Sequence, residues 1–297
     1  LNPAVTKQYE PGSVMKLITM AAALDSGTVT PQSTYYDSGV IVLGGWPIYN
    51  WDHSARGTMD MTGLLANSLN VGAATIASWM GQEAFYTYFQ RFGFGRPTGI
   101  DLMAEASGML PLPNSENWTE TNLGTNAFGQ GMAVTPLQMI SSVSALANDG
   151  YLMRPYLVQE KHAGGKVYVH EPEVISRPVS EQTADQMTAM AINAVRTEIF
   201  GAQVEGYTLA GKTGTAQIPE NGIYHPEATI ASFIGWLPAD APELIVLIKL
   251  DRPSASPWGS TTAAPTFAEL ATDLVALLDI PPDAIRLQGD VLAVRGN

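Results

Sequence analysis

The stretch "YEPGSVMKLITMAAALDSG", residues 9–27, contains a chain break, an apolar helix and a pair of reactive side chains. Its Pro-Gly pair interrupts regular structure, and the apolar run that starts at Ser13 predicts a helix that ends at the Ser-Gly pair. Residues three apart share one helix face, so the Ser13 hydroxyl and the Lys16 amine can meet. This S-x-x-K pattern fits a nucleophile beside its base, but taken alone it favours a capping serine beside a solvated lysine.

The composition is that of a folded, acidic domain. The 297 residues are enough for one large domain or two small ones, and 45% of them are hydrophobic while 14% are charged. The formal net charge of −13 argues against nucleic acid or an anionic membrane as a direct partner. Cysteine is absent, which excludes thiol chemistry, and the four histidines lack metal-ligand spacing. We therefore expect no metal and no cofactor.

The start of the sequence indicates a piece of a longer protein. Leu1 is not an initiator methionine, and we find no signal peptide. No apolar run approaches the ~20 residues that a membrane span requires.

Four segments have the apolar spacing of helices. The first is the run after Ser13, and two more carry cap and stop signals at their ends, at Thr135–Gly150 and Ser180–Gly201. The fourth helix is predicted to place four apolar side chains on one face: Phe267, Leu270, Leu274 and Leu277. Glycines break residues 61–89 into several shorter predicted helices.

Strands are predicted mainly in the second half, at residues 207–218, 228–238 and 243–250, with a hairpin around "AGG" within 155–171. We expect one α+β domain over residues 1–297, with an antiparallel sheet flanked by helices and an all-helical lobe. The helical lobe is expected mostly within 13–150, and the sheet and closing helix mostly within 151–297.

Two further polar motifs interrupt apolar segments. "GKTGTA", residues 211–216, puts a lysine and two glycines into a strand, which is typical either of a close backbone approach or of an edge strand with a protective lysine. Ser-x-Asn occurs twice, at residues 68–70 between helical segments and at residues 115–117 in a proline-flanked loop. We interpret the second as a turn, whereas the polar side chains of the first need partners.

S-x-x-K, S-x-N and K-T-G in this order resemble the signature of the penicillin-recognising serine enzymes. The segments "YEPGSVMK", "NSLNVG", "FGFGRPTGIDLMAEASG", "FGQGMAVTPLQM" and "GKTGTAQ" are together similar to the transpeptidase domain of a class B penicillin-binding protein. The similarity runs nearly end to end. Two features depart from the family: only 12 residues precede Ser13, where the family has strands and usually a pedestal and a membrane anchor, and "WGSTTAAP" lacks the glycine pair that is frequent there.

The resemblance implies a catalytic set that converges where the two lobes meet. Ser13 is the expected nucleophile and Lys16 its base, which must be neutral when it accepts the proton. Burial and a second cation, Lys212, would both lower the pKa of Lys16. Ser68 would relay the proton to the leaving amine. Asn70 would bind the substrate amide and orient Lys16.

The resemblance also implies how substrate is bound. The hydroxyls of Thr213 and Thr215, with Lys212, would hold a substrate carboxylate, and Gly214 would allow a close approach to the strand. The backbone N–H groups of Ser13 and Thr215 would form the oxyanion hole. An extended peptide would lie beside this strand as an added strand.

The function implied is serine D,D-transpeptidation of peptidoglycan stem peptides that end in D-Ala-D-Ala, with covalent binding of β-lactams to Ser13. The whole protein would lie on the extracytoplasmic face of a bacterial membrane, with a glycan polymerase as partner, in division or in elongation. Two alternatives stay open: a D,D-carboxypeptidase or β-lactamase, and a non-catalytic sensor or scaffold. The first would require a deacylating base, and "ETNLG" at 120–124 has the composition of such a loop without its pattern.

One structural consequence of the short N-terminal segment concerns the last strand. Without the usual N-terminal strands, "ELIVLIKL" at residues 243–250 is expected to form an open sheet edge. The tail "GDVLAV" at residues 289–294, or a neighbouring molecule, is expected to cover that edge.

Overall fold

The computed structural model describes residues 1–220 and 223–294. Its helices are α1 (Pro3–Thr6), α2 (Lys16–Asp25), α3 (Met61–Ala66), α4 (Asn70–Met80), α5 (Gln82–Arg91), α6 (Glu120–Asn126), α7 (Pro136–Ser144), α8 (Glu181–Glu198), α9 (Ala263–Leu277) and α10 (Asp283–Val294). The strands are β1 (Thr34–Asp37), β2 (Val40–Leu43), β3 (Trp46–Tyr49), β4 (Gly57–Asp60), β5 (Leu152–Met153), β6 (Glu160–Ala163), β7 (Lys166–Val169), β8 (Val174–Ser176), β9 (Ala210–Glu220), β10 (Ile223–Leu237) and β11 (Leu244–Asp251). Short 3-10 helices span Gly12–Met15 and Phe200–Ala202.

The main sheet is antiparallel and has the order β11-β10-β9. Gly214 of β9 lies opposite Ser232 of β10, and Leu247 of β11 lies opposite Ile234 on the other side. The α+β class and the three predicted strands are therefore confirmed. Among the described residues β9 and β11 are the two edges, so residues 243–250 do contribute an edge strand. Residues 289–294 continue α10, and what their side chains cover lies outside the described residues.

Helix α2 lies at the centre of the molecule because it is apolar on every side. Nine of its residues are buried, and it packs against α4, α5 and α8. A helix without a polar face cannot lie on the surface without exposing apolar area. Helix α2 is therefore held in place by the helices that surround it, and the residues at its N-terminus, next to Ser13, have a rigid support.

Helix α9 covers the sheet with a face that differs from the predicted one. Phe267 is buried against the Phe233 ring, with ring centroids 4.7 Å apart, but Leu270 is 40% exposed and Leu277 is 76% exposed. The prediction for those two leucines was wrong. The other buried residues of the helix are Ala263, Ala264, Ala271 and Val275. Small side chains let the helix approach the sheet closely. The face that packs against the sheet is therefore the one that carries the alanines, and not the one that carries the larger leucines.

The helical lobe also contains two small ribbons that the sequence analysis did not predict. Strand β1 pairs with β4, and β2 pairs with β3. Each strand is only four residues long, too short for a clear alternating pattern. The predicted hairpin is confirmed as β6–β7, where Gly164 and Gly165 supply the positive φ of its two-residue turn. Helix α7 ends at Ser144, earlier than the predicted Gly150.

No helix in the described part of the chain combines the length and apolar character needed to cross a membrane. Residues 1–220 and 223–294 also contain no group of three or more histidine, aspartate or glutamate side chains placed to hold a metal ion.

Candidate active site

Ser13 lies in the 3-10 turn that leads into α2, and Gly12 allows strand β9 to approach this turn. Gly12 has φ +60, and its N–H donates to Gly129 O at 3.0 Å. A Cβ at this position would lie 3.0 Å from Ala216 Cβ and 3.1 Å from Thr215 O. Both the turn and the close contact therefore require glycine. The backbone of Ser13 is placed directly beside the strand that carries the K-T-G motif.

Lys16 is buried and its amine contacts three predicted site residues. Lys16 Nζ lies 3.0 Å from Ser13 Oγ, 3.2 Å from Ser68 Oγ and 2.8 Å from Asn70 Oδ1. It also donates to Ser68 O at 2.5 Å. Burial, and secondarily the nearby Lys212, hold the pKa of Lys16 well below its usual range. The serine hydroxyl thus faces an amine that loses its proton readily.

Ser68 occupies the junction between α3 and α4 in a conformation that is uncommon for serine. Its φ of 57° lies in the left-handed region. This geometry turns the side chain toward both lysines, so that Ser68 Oγ lies 3.2 Å from Lys16 Nζ and 3.0 Å from Lys212 Nζ. Asn70 begins α4, and its Nδ2 donates to Tyr49 O at 3.0 Å.

Lys212 reaches the site from β9 and is fully buried. Besides Ser68 Oγ, its amine contacts Thr213 O at 3.2 Å. Burial lowers the pKa of Lys212 to about 7. Within residues 1–220 and 223–294, neither Lys16 nor Lys212 has a carboxylate partner. Two amines without counter-ions therefore share one hydroxyl oxygen, which favours loss of a proton from one of them.

The loop that contains Gly259 packs against the K-T-G strand, and glycines on both sides of the contact make this close approach possible. A Cβ on Gly214 would lie 2.5 Å from Ser232 Oγ, and a Cβ on Gly259 would lie 2.4 Å from Gly214 O. The N–H of Gly259 donates to Thr215 Oγ1 at 3.1 Å, so the Thr215 hydroxyl can donate its own proton elsewhere. Gly259, the single glycine of the "WGSTTAAP" loop, is therefore needed at this contact because a side chain would collide with the strand.

A cleft of about 1150 Å³ opens above these residues. Five of the predicted site residues line it: Ser13, Ser68, Asn70, Thr213 and Thr215. Lys16 and Lys212 are buried behind this set, and both contact Ser68 Oγ. The predicted convergence of Ser13, Ser68 and Lys212 is confirmed.

The cleft also contains residues that sequence reasoning missed. Trp51 and Trp258 meet edge to face across its rim, with ring centroids 5.4 Å apart, and both are partly exposed. His53 and Arg56 line the helical side, and Glu198 lines the cleft from the end of α8. None of them belongs to a recognisable motif. The available signal was the presence of tryptophans in polar loops, which is too general to locate a site.

The arrangement sets the Ser13 hydroxyl against the buried amine of Lys16 at the wall of an open cleft. Such a site defines the class of serine acyl-transferring and acyl-hydrolysing enzymes. The comparison with known sequences makes the class specific. The chain belongs to the family described as penicillin binding protein transpeptidase domain, which residues 1–272 match.

Two relatives illustrate the similarity. The chain is 37% identical over 289 residues to "Stage V sporulation protein D" of Bacillus subtilis, covering 95% of this chain and 44% of that protein. It is 28% identical over 310 residues to "Peptidoglycan D,D-transpeptidase FtsI homolog" of Mesostigma viride, covering 95% and 51%. The chain thus spans about half the length of the curated relatives it matches.

A solved structure shares the fold. Penicillin binding protein 3 of Mycobacterium tuberculosis in complex with aztreonam superposes with a TM-score of 0.86 at 32% identity, covering 95% of this chain and 65% of that one. The family and fold inferred from the sequence motifs are therefore confirmed.

Proposed function

We propose that this chain is the catalytic domain of a serine D,D-transpeptidase that cross-links peptidoglycan stem peptides through an acyl-enzyme on Ser13. The observation that carries the proposal is the 3.0 Å contact between Ser13 Oγ and the buried amine of Lys16. Family membership and the names of the relatives support the substrate, a peptide that ends in D-Ala-D-Ala.

Acylation begins when neutral Lys16 takes the proton of the Ser13 hydroxyl. The oxygen attacks the carbonyl carbon of the penultimate D-Ala and forms a tetrahedral intermediate. Lys16 suits this role because burial disfavours its charged form, and the contact to Ser13 Oγ is already at hydrogen-bond length. The developing oxyanion is held by the N–H groups of Ser13 and Thr215.

Collapse of the intermediate breaks the peptide bond and releases D-Ala. The leaving nitrogen needs a proton. Ser68 gives its hydroxyl proton to that nitrogen and regains one from Lys16, which took it from Ser13, because Ser68 Oγ contacts both amines and the cleft. Asn70 binds the substrate amide and holds Lys16. The amine of a second stem peptide then attacks the acyl-enzyme, which restores the Ser13 hydroxyl and forms the cross-link.

Substrate is positioned along the edge of β9 that lines the cleft. Lys212, Thr213 and Thr215 hold the terminal carboxylate, and Gly214 leaves room beside the strand. Support comes from the position of both threonines on the cleft and from the edge position of β9 among the described strands. An extended peptide can add to such an edge through main-chain hydrogen bonds.

β-Lactams acylate Ser13 and remain attached. The Mycobacterium tuberculosis relative has been solved in complex with aztreonam, which supports β-lactam binding by this chain. Glu198 is the carboxylate among the described residues that line the cleft, and it makes no hydrogen bond to Ser13 or Lys16. Glu120, in the segment whose composition suggests a deacylation loop, is exposed and does not line the cleft. Among the described residues, neither of these two glutamates is therefore placed to activate a water for hydrolysis of the acyl-enzyme.

The full-length protein works on the extracytoplasmic, cell-wall side of a bacterial membrane and cooperates there with a glycan polymerase. The support is the substrate class, because peptidoglycan is assembled outside the cytoplasm, together with the relatives' names.

Intact-mass measurement after incubation with penicillin tests the proposal. The wild-type protein is expected to gain one penicilloyl mass that persists for hours, and Ser13→Ala to gain none. Ser115→Ala, which changes the serine of the exposed Ser-x-Asn loop, is the matched control and should label like the wild type. Rapid return to the unmodified mass with consumption of penicillin would identify a β-lactamase. A folded wild-type protein without an adduct would favour a scaffold.

A further inference from the structure

Helix α4 begins with Asn70 but has no cap of its own. The residue before it is Leu69, whose side chain accepts no hydrogen bond. The first N–H groups of a helix have no acceptor within the helix, so they need one from elsewhere. Asn50 Oδ1 accepts the N–H of Val71 at 3.1 Å, from a residue 21 positions earlier in the chain. The cap of α4 is therefore supplied by the loop after β3.

The orientation of the Asn50 amide is fixed by its other end. Asn50 is 1% exposed, and its Nδ2 donates to both carboxyl oxygens of Asp37, at 2.9 and 3.0 Å. It also donates to Ser54 O at 3.0 Å. With Nδ2 occupied in this way, Oδ1 must point toward the start of α4.

Asp37 is a buried carboxyl group whose partners, in the described part of the chain, include no cation. It accepts from Gly39 N at 2.8 Å and from the Tyr35 hydroxyl at 3.0 Å, in addition to the two bonds from Asn50. Burying such a group is costly unless its bonds are made. Because all of these bonds are present, Asp37 forms a rigid anchor at the end of β1.

A second contact joins the same two segments. Tyr49 O accepts from Asn70 Nδ2 at 3.0 Å, while Asn50 accepts from Val71 N. The last residue of β3 and the residue after it thus bind consecutive residues of the helix. One bond fixes the Asn70 amide and the other fixes the backbone beside it, and the remaining end of that amide, Oδ1, meets Lys16 Nζ at 2.8 Å.

We propose that Asn50, held by Asp37, is a positioning residue for acylation of Ser13. It keeps the first turn of α4 in place, so that Asn70 meets Lys16 in the reactive geometry. Asn50 lies on the cleft wall, but in this role it acts through Asn70 and transfers no proton. The inference rests on the proposed acylation chemistry and adds a residue outside the three motifs.

The first test compares Asn50→Ala with the wild type in two measurements, the second-order rate of labelling by a fluorescent penicillin and the melting temperature. Labelling is expected to slow about tenfold, the scale of one lost hydrogen bond to a polar network. Ser142→Ala is the matched control. Ser142 is also buried and donates to two carbonyl oxygens, Phe92 O and Gln138 O, in a part of the helical lobe that does not line the cleft. It should lower the melting temperature and leave labelling within twofold of the wild type.

A double-mutant cycle separates positioning from a general loss of stability. If Asn50 acts through Asn70, Asn50→Ala should have no further effect on labelling in an Asn70→Ala background. Full additivity of the two losses would overturn the inference, and so would wild-type labelling by Asn50→Ala. Failure of the wild type itself to label would instead refute the proposed function.

An isosteric exchange keeps the test valid if Asn50→Ala does not fold. Asn50→Asp retains an acceptor for Val71 but sets two carboxyl groups against each other. Adding Asp37→Asn restores a donor between the two positions. The double variant is expected to label at least threefold faster than Asn50→Asp, and equal rates for the two proteins would overturn the inference.

Discussion

The two Ser-x-Asn segments of this chain have the same pattern and opposite surroundings. At residues 68–70 the serine oxygen lies 3.2 and 3.0 Å from two buried amines. At residues 115–117 all three residues are exposed, and the Ser115 hydroxyl donates to Leu112 O at 2.8 Å within its own turn. The first serine lies between two buried amines, and the second stabilises a loop.

The difference arises from the backbone and not from the tripeptide. Ser68 adopts a φ of 57° between two helices, and Asn70 is the first residue of the second helix. Both ends of the Asn70 amide are bound, to Lys16 Nζ and to Tyr49 O. The second segment precedes α6 instead of starting a helix, and in the described part of the chain its side chains have no hydrogen bond to a lysine. A short motif therefore becomes a site only where distant elements deliver its partners.

The largest expected effect tests the partner that distinguishes the first segment. Lys16→Ala should slow penicillin labelling by ~10²–10⁴, because general-base assistance is lost. Lys166→Ala, on the exposed β6–β7 hairpin, is the control and should label like the wild type. Stopped-flow fluorescence gives both rates. If Lys16→Ala labelled at the wild-type rate, Lys16 would not be the base that activates Ser13.

The two serines provide the next test. Ser68→Ala should slow labelling by ~10², the lower end of what proton transfer contributes, because the hydroxyl that joins Lys16 and Lys212 is gone. Ser115→Ala should have no effect on the rate. Equal labelling rates of the two variants in this assay would show that the Ser68 hydroxyl takes no part in the proton transfer.

The two asparagines should differ less. Asn70→Ala is expected to slow labelling about tenfold, because a hydrogen bond to the amine is lost while the base remains. Asn117→Ala should leave the rate unchanged. A loss at Asn70 as large as that at Lys16 would mean that Asn70 takes part in proton transfer.

The smallest effect is expected in the pH dependence of stability. Lys212 has a pKa of about 7 in the folded protein, against ~10.4 in an unfolded chain. The unfolded state therefore binds more protons between these values, and stability should rise with pH from about 7 to ~10.4.

Melting temperatures at pH 7 and pH 9 check this dependence in two proteins. The wild type should gain a few degrees over the interval, and Lys212→Met should gain less because that titration is removed. Parallel behaviour of the two proteins would show that Lys212 does not carry the depressed pKa.

Much of the fold could be predicted from local pattern. The helix after Ser13, the three strands of the sheet and the β6–β7 hairpin each follow from periodicity and turn residues within one segment. The β1–β4 and β2–β3 ribbons could not be predicted, because four-residue strands carry little periodicity. The buried face of α9 was partly wrong, since alanines decide how closely a helix approaches a sheet, and hydrophobicity alone favours leucines.

For the candidate site, the amino-acid sequence by itself determined which residue types were available and in what order: S-x-x-K, then S-x-N, then K-T-G. Only the tertiary structure decided that Lys16 is buried with no carboxylate partner among the described residues, and that residues 68–70 rather than 115–117 contact it. It also decided that Asn50 caps α4 and that Trp51 meets Trp258. The physical reason is the distance along the chain over which each interaction acts. Periodicity and capping act over a few residues, whereas desolvation of Lys16 and its contact with Ser68 join positions 52 residues apart in the chain, which no local pattern encodes.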